Sequence, residues 1–201
     1  MTIIAFISQK GGVGKSTLSQ ALAVEASKQK IKVLLADCDP QQKTSYEWNK
    51  INKKVNCQDF NSVKDIWPLT KQYDLIIIDG PARTSRSTLE IAKQASLIIQ
   101  PTGASRADLI PAVKEFNALK KAGISQKKLL FVLTRLSTPA EAKAIQEYLK
   151  NTGYACSPFY VLEKASYKQV QNEGNSITQT KYPRLAQQAK EVVSSLLDYL
   201  N

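Results

Sequence analysis

The sequence predicts an α/β domain: a doubly wound, mainly parallel sheet with helices on both faces. Two observations carry this. Short apolar runs alternate with segments whose apolar residues recur at helical spacing, and strands joined through helices return as right-handed parallel units. The first run passes through a glycine-rich turn directly into a helical pattern, Gln9-Lys10-Gly11-Gly12-Val13-Gly14-Lys15-Ser16-Thr17. The 201 residues suffice for one buried sheet. No repeat, low-complexity stretch or linker divides them, so one domain, 1–201, is expected.

Taken in order, Ile3–Ile7 reads as a buried strand and Leu18–Lys28 as the helix after the glycine turn. Ile31–Ala36 is a second buried strand, ended by Asp37-Cys38-Asp39-Pro40, and Thr44–Ile51 is a helix. Lys53–Phe60 is a short strand, and Ser62–Leu69 a helical turn or two stopped near Pro68. Tyr73–Ile78 is a continuous apolar strand ending in Asp79. Ala95–Gln100 and Leu129–Thr134 are further strands, followed by helices from about Ala107 to Ala122 and from Pro139 to Lys150. Tyr154–Val161 holds the last strand, with Pro158 inside it. Glu163–Gln171 and Tyr182–Leu200 are helical, the latter with Leu185, Ala189, Val192, Val193, Leu196, Leu197 and Leu200 on one stripe.

Composition narrows the chemistry. There is no histidine, which excludes histidine-based acid–base catalysis and triads. Three scattered cysteines, Cys38, Cys57 and Cys156, form no zinc pattern and fit a reducing cytoplasm. No run is long enough to span a bilayer. The net charge of +11 favours anionic partners such as nucleic acid or acidic lipid.

Strand, glycine loop and helix together suit a phosphate. Glycines let consecutive N–H groups turn inward, and the helix adds its unpaired donors and dipole. Lys15 then meets the β and γ phosphates, the Ser16 hydroxyl is placed for Mg²⁺, and Thr17 lies next to the α phosphate. Asp37 and Asp39 close a parallel strand, where such sheets form their ligand crevice; they equally suit capping of the helix at Thr44. Asp79, at the end of its apolar strand, would hold Mg²⁺ or its water shell. Tyr46 and Trp48 read as packing residues.

Lys10-Gly11-Gly12-Val13-Gly14-Lys15-Ser16 resembles the deviant Walker A loop of the ParA/MinD superfamily of P-loop NTPases, with Gln9 where the ordinary motif has its first glycine. Asp37-Cys38-Asp39-Pro40-Gln41 resembles the second nucleotide motif of ParA proteins, and Gly80–Arg86, with Arg83 and Arg86, its switch II. The likeness runs through nearly the whole chain and is nearest to the short, ParF-like ParA proteins of plasmid partition. Since the loop starts at residue 9, no separate N-terminal helix-turn-helix domain is expected. The resemblance implies an ATP- and Mg²⁺-dependent ATPase and a homodimer with ATP sandwiched at its interface. It also implies binding to duplex DNA without sequence preference, and a centromere-binding, ParB/ParG-like partner that stimulates hydrolysis. It places Lys10 across the dimer on the partner's ATP, Asp37 near Mg²⁺, Asp39 on the attacking water, and Thr134, Arg135 and Pro158 around adenine. The proline loop Pro101–Ser105 suits either a dimer contact or a plain connection.

For DNA, Lys164, Lys168, Lys181, Arg184 and Lys190 are the candidate cations, with a second cluster at Lys120, Lys121, Lys127 and Lys128. A cytoplasmic, nucleoid-associated protein is expected. The final turn carries Asp198 and no cation, so no membrane contact of the MinD kind is expected. A MinD-like membrane-cycling ATPase, a metabolic P-loop enzyme and a ParA-like protein that positions other cargo are the competing readings.

Overall fold

The computed structural model describes residues 1–82 and 86–199, the Arg86 side chain excepted. Arg83, the Arg86 side chain and Leu200, singled out above, lie outside the described residues. The chain runs β1 (Thr2–Ser8), α1 (Lys15–Lys28), β2 (Val33–Asp37), α2 (Thr44–Asn52), β3 (Cys57–Asp59), then a 3₁₀ segment (Val63–Gln72) and β4 (Leu75–Ala82). It continues through α3 (Arg86–Gln94), β5 (Leu97–Thr102), α4 (Arg106–Lys121), β6 (Leu129–Leu136), α5 (Pro139–Asn151), β7 (Ala155–Leu162), α6 (Ala165–Asn172) and α7 (Pro183–Asp198).

The seven strands form one sheet in the order β3-β2-β4-β1-β5-β6-β7, and every pairing is parallel. Alternation sorts the side chains of β1 to two faces: Ile3, Ala5 and Ile7 join one core, Ile4 and Phe6 the other. The first core is covered by α3, α4 and α5, through residues such as Ile91, Phe116 and Ile145. The second is covered by α1, α2, α6 and α7, through Leu22, Trp48, Tyr167 and Val193. Trp48 is thus a packing residue, as read. With both faces covered, the central strands are continuous apolar runs.

Several bounds differ from the sequence reading. β4 runs past Asp79 to Ala82, because its end continues to pair with β1, Ser8 opposite Ala82 across an irregularity. β3 is only three residues long; Lys53, expected to open it, instead closes α2 in a left-handed conformation, φ 48°. The 3₁₀ segment passes Pro68 and ends at Gln72. α3 is an element the reading did not include.

Candidate functional site

β1 lies between β4 and β5, where flanking strands diverge and leave a crevice beyond their carboxyl ends. The chain crosses this crevice in the glycine loop before α1. Gly14 takes φ 97° and ψ 17°, a left-handed conformation that glycine adopts without a Cβ penalty. A Cβ at Gly14 would also meet Thr134 at 3.4 Å.

Two residues at the end of β6 brace the loop. The Thr134 hydroxyl donates to the Val13 carbonyl (2.6 Å), and the Arg135 guanidinium donates to the Gly12 carbonyl (2.8 Å). In a trans peptide the N–H points opposite the C=O, so holding these carbonyls aims the Val13 and Gly14 N–H groups away from β6. Arg135 does this from φ 56°, an uncommon conformation for a residue with a side chain.

A cleft of about 330 Å³ opens over the loop. Gly11, Gly12, Gly14, Lys15, Ser16 and Thr17 line it, as do Asp39, Gly80 and Ala82. Thr134 and Arg135, with residues from Val161 to Gln171, complete the lining. Lys15 is buried there; burial pulls its ammonium below the usual lysine value, against the attraction of Asp79, Asp39 and Glu115.

The three aspartates differ in their surroundings. Asp37 and Asp79 are register partners on adjacent strands, and both are buried. Asp37 Oδ1 accepts the Asp39 N–H (3.0 Å), and Oδ2 accepts the N–H groups of Ser45 (2.8 Å) and Tyr46 (3.0 Å). Asp37 therefore caps the first turn of α2 and, like Asp79, stands behind the residues that line the cleft. Burial still pushes its carboxyl up. Asp79 Oδ2 accepts the Ser45 hydroxyl (2.7 Å), while its buried Oδ1 has no hydrogen-bond partner. Asp39 Oδ1 accepts the Gln41 and Gln42 N–H groups, both at 3.1 Å, and Oδ2 meets the Ala82 N–H at only 3.4 Å.

These donors fit Mg²⁺. No cluster of three or more His, Cys, Asp or Glu forms a metal site among the described residues. Mg²⁺ keeps several waters and usually takes one or two protein groups together with substrate phosphates. The Ser16 hydroxyl and the orphaned Asp79 Oδ1 supply such groups beside the loop.

Other sequence candidates fall elsewhere. Lys10 is not in the cleft lining: its ammonium forms an ion pair with Asp108, in the first turn of α4. Pro158 sits in the body of β7, its carbonyl accepting from the Gln146 amide (3.0 Å); the strand continues, and Val161, Leu162, Glu163 and Lys164 reach the cleft in its place. Thr134 and Arg135 line the cleft while bracing the loop. Lys164 and Lys168 also line it, and Lys168 is paired with Glu163 at 2.8 Å. Lys181, Arg184 and Lys190 are exposed and do not line the cleft. Sequence reading missed Asp108, Ser45 and Gln171. Only Asp108 left a trace, as the acidic end of the Ser105-x-x-Asp108 helix start.

Residues 4–177 match the CobQ/CobB/MinD/ParA nucleotide binding domain. The chain belongs to this family. Within the ParA/MinD group it is 26% identical, over 190 residues, to the maintenance of carboxysome distribution protein A of Gloeobacter kilaueensis, covering 88% of this chain and 84% of that one. Its fold matches a protein assigned to plasmid partition in Borrelia burgdorferi B31, solved bound to AMPPNP, with a TM-score of 0.72 and 20% identity over 98% of both chains. It also matches a chain of the MinC:MinD cell division protein complex of Aquifex aeolicus, with a TM-score of 0.79 and 14% identity over 98% of this chain and 96% of the other. Family and fold thus agree with the doubly wound nucleotide-binding domain expected from the loop.

Proposed function

We propose that the chain is a single-domain, Mg²⁺-dependent ATPase of the ParA type. It dimerises around ATP, binds duplex DNA without sequence preference in that state, and hydrolyses ATP when a ParB/ParG-like centromere-binding partner stimulates it. This couples plasmid DNA to the nucleoid in the cytoplasm. No helix among the described residues is long and apolar enough to cross a membrane.

The chemistry asked of the site is positioning and charge neutralisation, since phosphoryl transfer to water needs little covalent help. Loop N–H groups and Lys15 meet the phosphates from one side. Mg²⁺, which Ser16 and Asp79 would hold, would neutralise charge on the phosphate oxygens. Asp39 keeps Oδ1 on its own turn and has Oδ2 to orient a water. Beside phosphate charge, a carboxylate serves better as an orienter than as a strong base.

The observation that carries the dimer is Lys10. Lys15 already serves the cleft from within, whereas Lys10 is exposed and turned to Asp108. A second loop lysine outside its own phosphate site suits a phosphate supplied by another copy. Lys10→Ala should leave ATP binding by the monomer intact and remove ATP-dependent dimerisation. A charge-assisted contact contributes roughly 1.5–3 kcal/mol, and two symmetric sites lose one each, so dimer affinity should fall about 10²- to 10⁴-fold. Light scattering with a slowly hydrolysed ATP analogue measures this; a Lys10→Ala protein that dimerises with native affinity overturns the sandwich.

The carboxysome-distribution relative favours a second reading, in which the same dimer cycle positions a protein-bound cargo in place of a plasmid. Recovery of the cargo-side partner on DNA beads loaded with this protein and ATP separates the two, because a centromere-binding partner carries its own DNA site.

A further inference from the structure

A series of buried polar side chains crosses from β4 to α6. The Ser45 hydroxyl donates to Asp79 Oδ2 (2.7 Å), Gln20 Nε2 donates to Ser45 Oγ (3.3 Å), and Gln171 Nε2 donates to Gln20 Oε1 (3.1 Å) and to Thr17 Oγ1 (3.1 Å). Gln20 is 1% exposed and Ser45 is fully buried, so water cannot replace a broken link. The donors from Gln171 through Gln20 and Ser45 point toward Asp79, while the Thr17 hydroxyl also donates back to Gln171 Oε1 (3.3 Å). A buried anion at one end imposes that order, and each bond polarises the next. A second set of contacts joins the same elements: Trp48 Nε1 donates to the Asn175 carbonyl (3.2 Å) and Asn52 Nδ2 to the Glu173 carbonyl (2.6 Å). Gly174 lies so near Ile51 that a Cβ would stand 2.6 Å from it. Thus the C-terminal half of α2 packs on the turn that follows α6, and Ser45, near its other end, reaches α6 through Gln20 of α1.

Asp79 gives Oδ2 to this series and leaves Oδ1 without a partner. The two oxygens share one charge. A cation drawing on Oδ1 takes charge from Oδ2 and weakens the pull on Ser45 and on each bond behind it.

We propose that Gln20 is a positioning residue: with Ser45 and Gln171 it forms a relay by which metal occupancy at Asp79 sets how firmly α6 is held against the phosphate loop. The relay rests on the nucleotide reading above, because its input is the metal bound with ATP. α6 brings Tyr167, Lys168 and Gln171 to the cleft, so the helix that borders the nucleotide follows the state of its phosphates.

Amide hydrogen exchange at saturating ATP, with Mg²⁺ or with EDTA, tests this. In the native protein, ATP protects the loop amides, and α6 exchanges about fivefold faster with Mg²⁺ than with EDTA, the effect of weakening one hydrogen bond. Gln20→Met keeps the loop protection and loses the metal-dependent difference in α6. Where Gln20→Met fails to fold, Gln171→Met breaks the relay at its half-buried end and is expected to lose the same difference. Equal α6 exchange with and without Mg²⁺ in the native protein overturns the relay, and so does a difference that survives both substitutions. Absence of loop protection by ATP in the native protein instead overturns the nucleotide reading, and the relay with it.

Discussion

Asp79 holds a carboxylate where water cannot reach it. Burial pushes its carboxyl up to about 7 from an ordinary 3.8, the Asp37 charge adds to this, and the Ser45 and Ser16 hydroxyls and the Lys15 ammonium pull it back. Between those two values the folded chain keeps a proton that the unfolded chain has released. Stability is therefore highest below about pH 4 with respect to this group and falls as pH rises through 7. Over the roughly three units between them, at ~1.4 kcal/mol per unit, the loss reaches about 4 kcal/mol. Asp37 is shifted in the same direction by its own burial. Asp79→Asn retains an acceptor for Ser45 and removes the charge. Urea midpoints should fall between pH 5 and pH 8 in the nucleotide-free native protein and fall much less in Asp79→Asn. Equal slopes in the two proteins would show that Asp79 is charged at no cost.

At the scale of elements, the site depends on how closely β4 approaches β1. A Cβ at Gly80 would stand 2.6 Å from the Phe6 carbonyl oxygen, a backbone atom that cannot turn aside. Gly80→Ala should therefore splay the ends of β1 and β4, displace the neighbouring Asp79, and cost about 1–3 kcal/mol, the usual penalty for overpacking. Thermal unfolding and the Mg²⁺-dependence of ATP affinity should both suffer; native values in both would show that the strands adjust freely. These central strands were legible because continuous apolar runs and a glycine loop are local signals. α3 was not, since the fully buried apolar residues of its nine are just Ile91 and Ala92, beside the polar Thr88, and it follows directly on the segment read as a switch. The cleft wall at Val161–Lys164 was missed because the resemblance was carried to Pro158, inside the strand, and not to the strand's end. The relay through Gln20 and Gln171 was not legible either. Buried polar residues leave no periodic trace, and these two are 151 positions apart.

The whole molecule carries a net charge of +11, and its fold divides the expected DNA cations into two groups. Lys164 and Lys168 line the cleft, and Glu163 already offsets Lys168. Lys181, Arg184 and Lys190 are exposed at and before α7 and are not among the residues that line the cleft. Binding to phosphates without base readout needs only such clustered cations, and its affinity falls with salt as counterions are retained. Anisotropy titrations of the ATP-bound protein with two unrelated duplexes should give equal affinities and a steep salt dependence. Replacing Lys181, Arg184 and Lys190 together by alanine removes three cations per protomer. It should lower the log–log salt slope by about 0.9 for each phosphate no longer neutralised, roughly 3 per protomer if each cation serves one phosphate. ATP hydrolysis in the absence of DNA should be unchanged, because none of the three reaches the cleft. Alanine at Lys164 and Lys168 should act the other way, weakening nucleotide binding more than the salt slope. An unchanged slope in the triple variant, with a reduced one at Lys164 and Lys168, would move the DNA surface to the rim of the nucleotide cleft, where DNA and ATP would compete for the same charges.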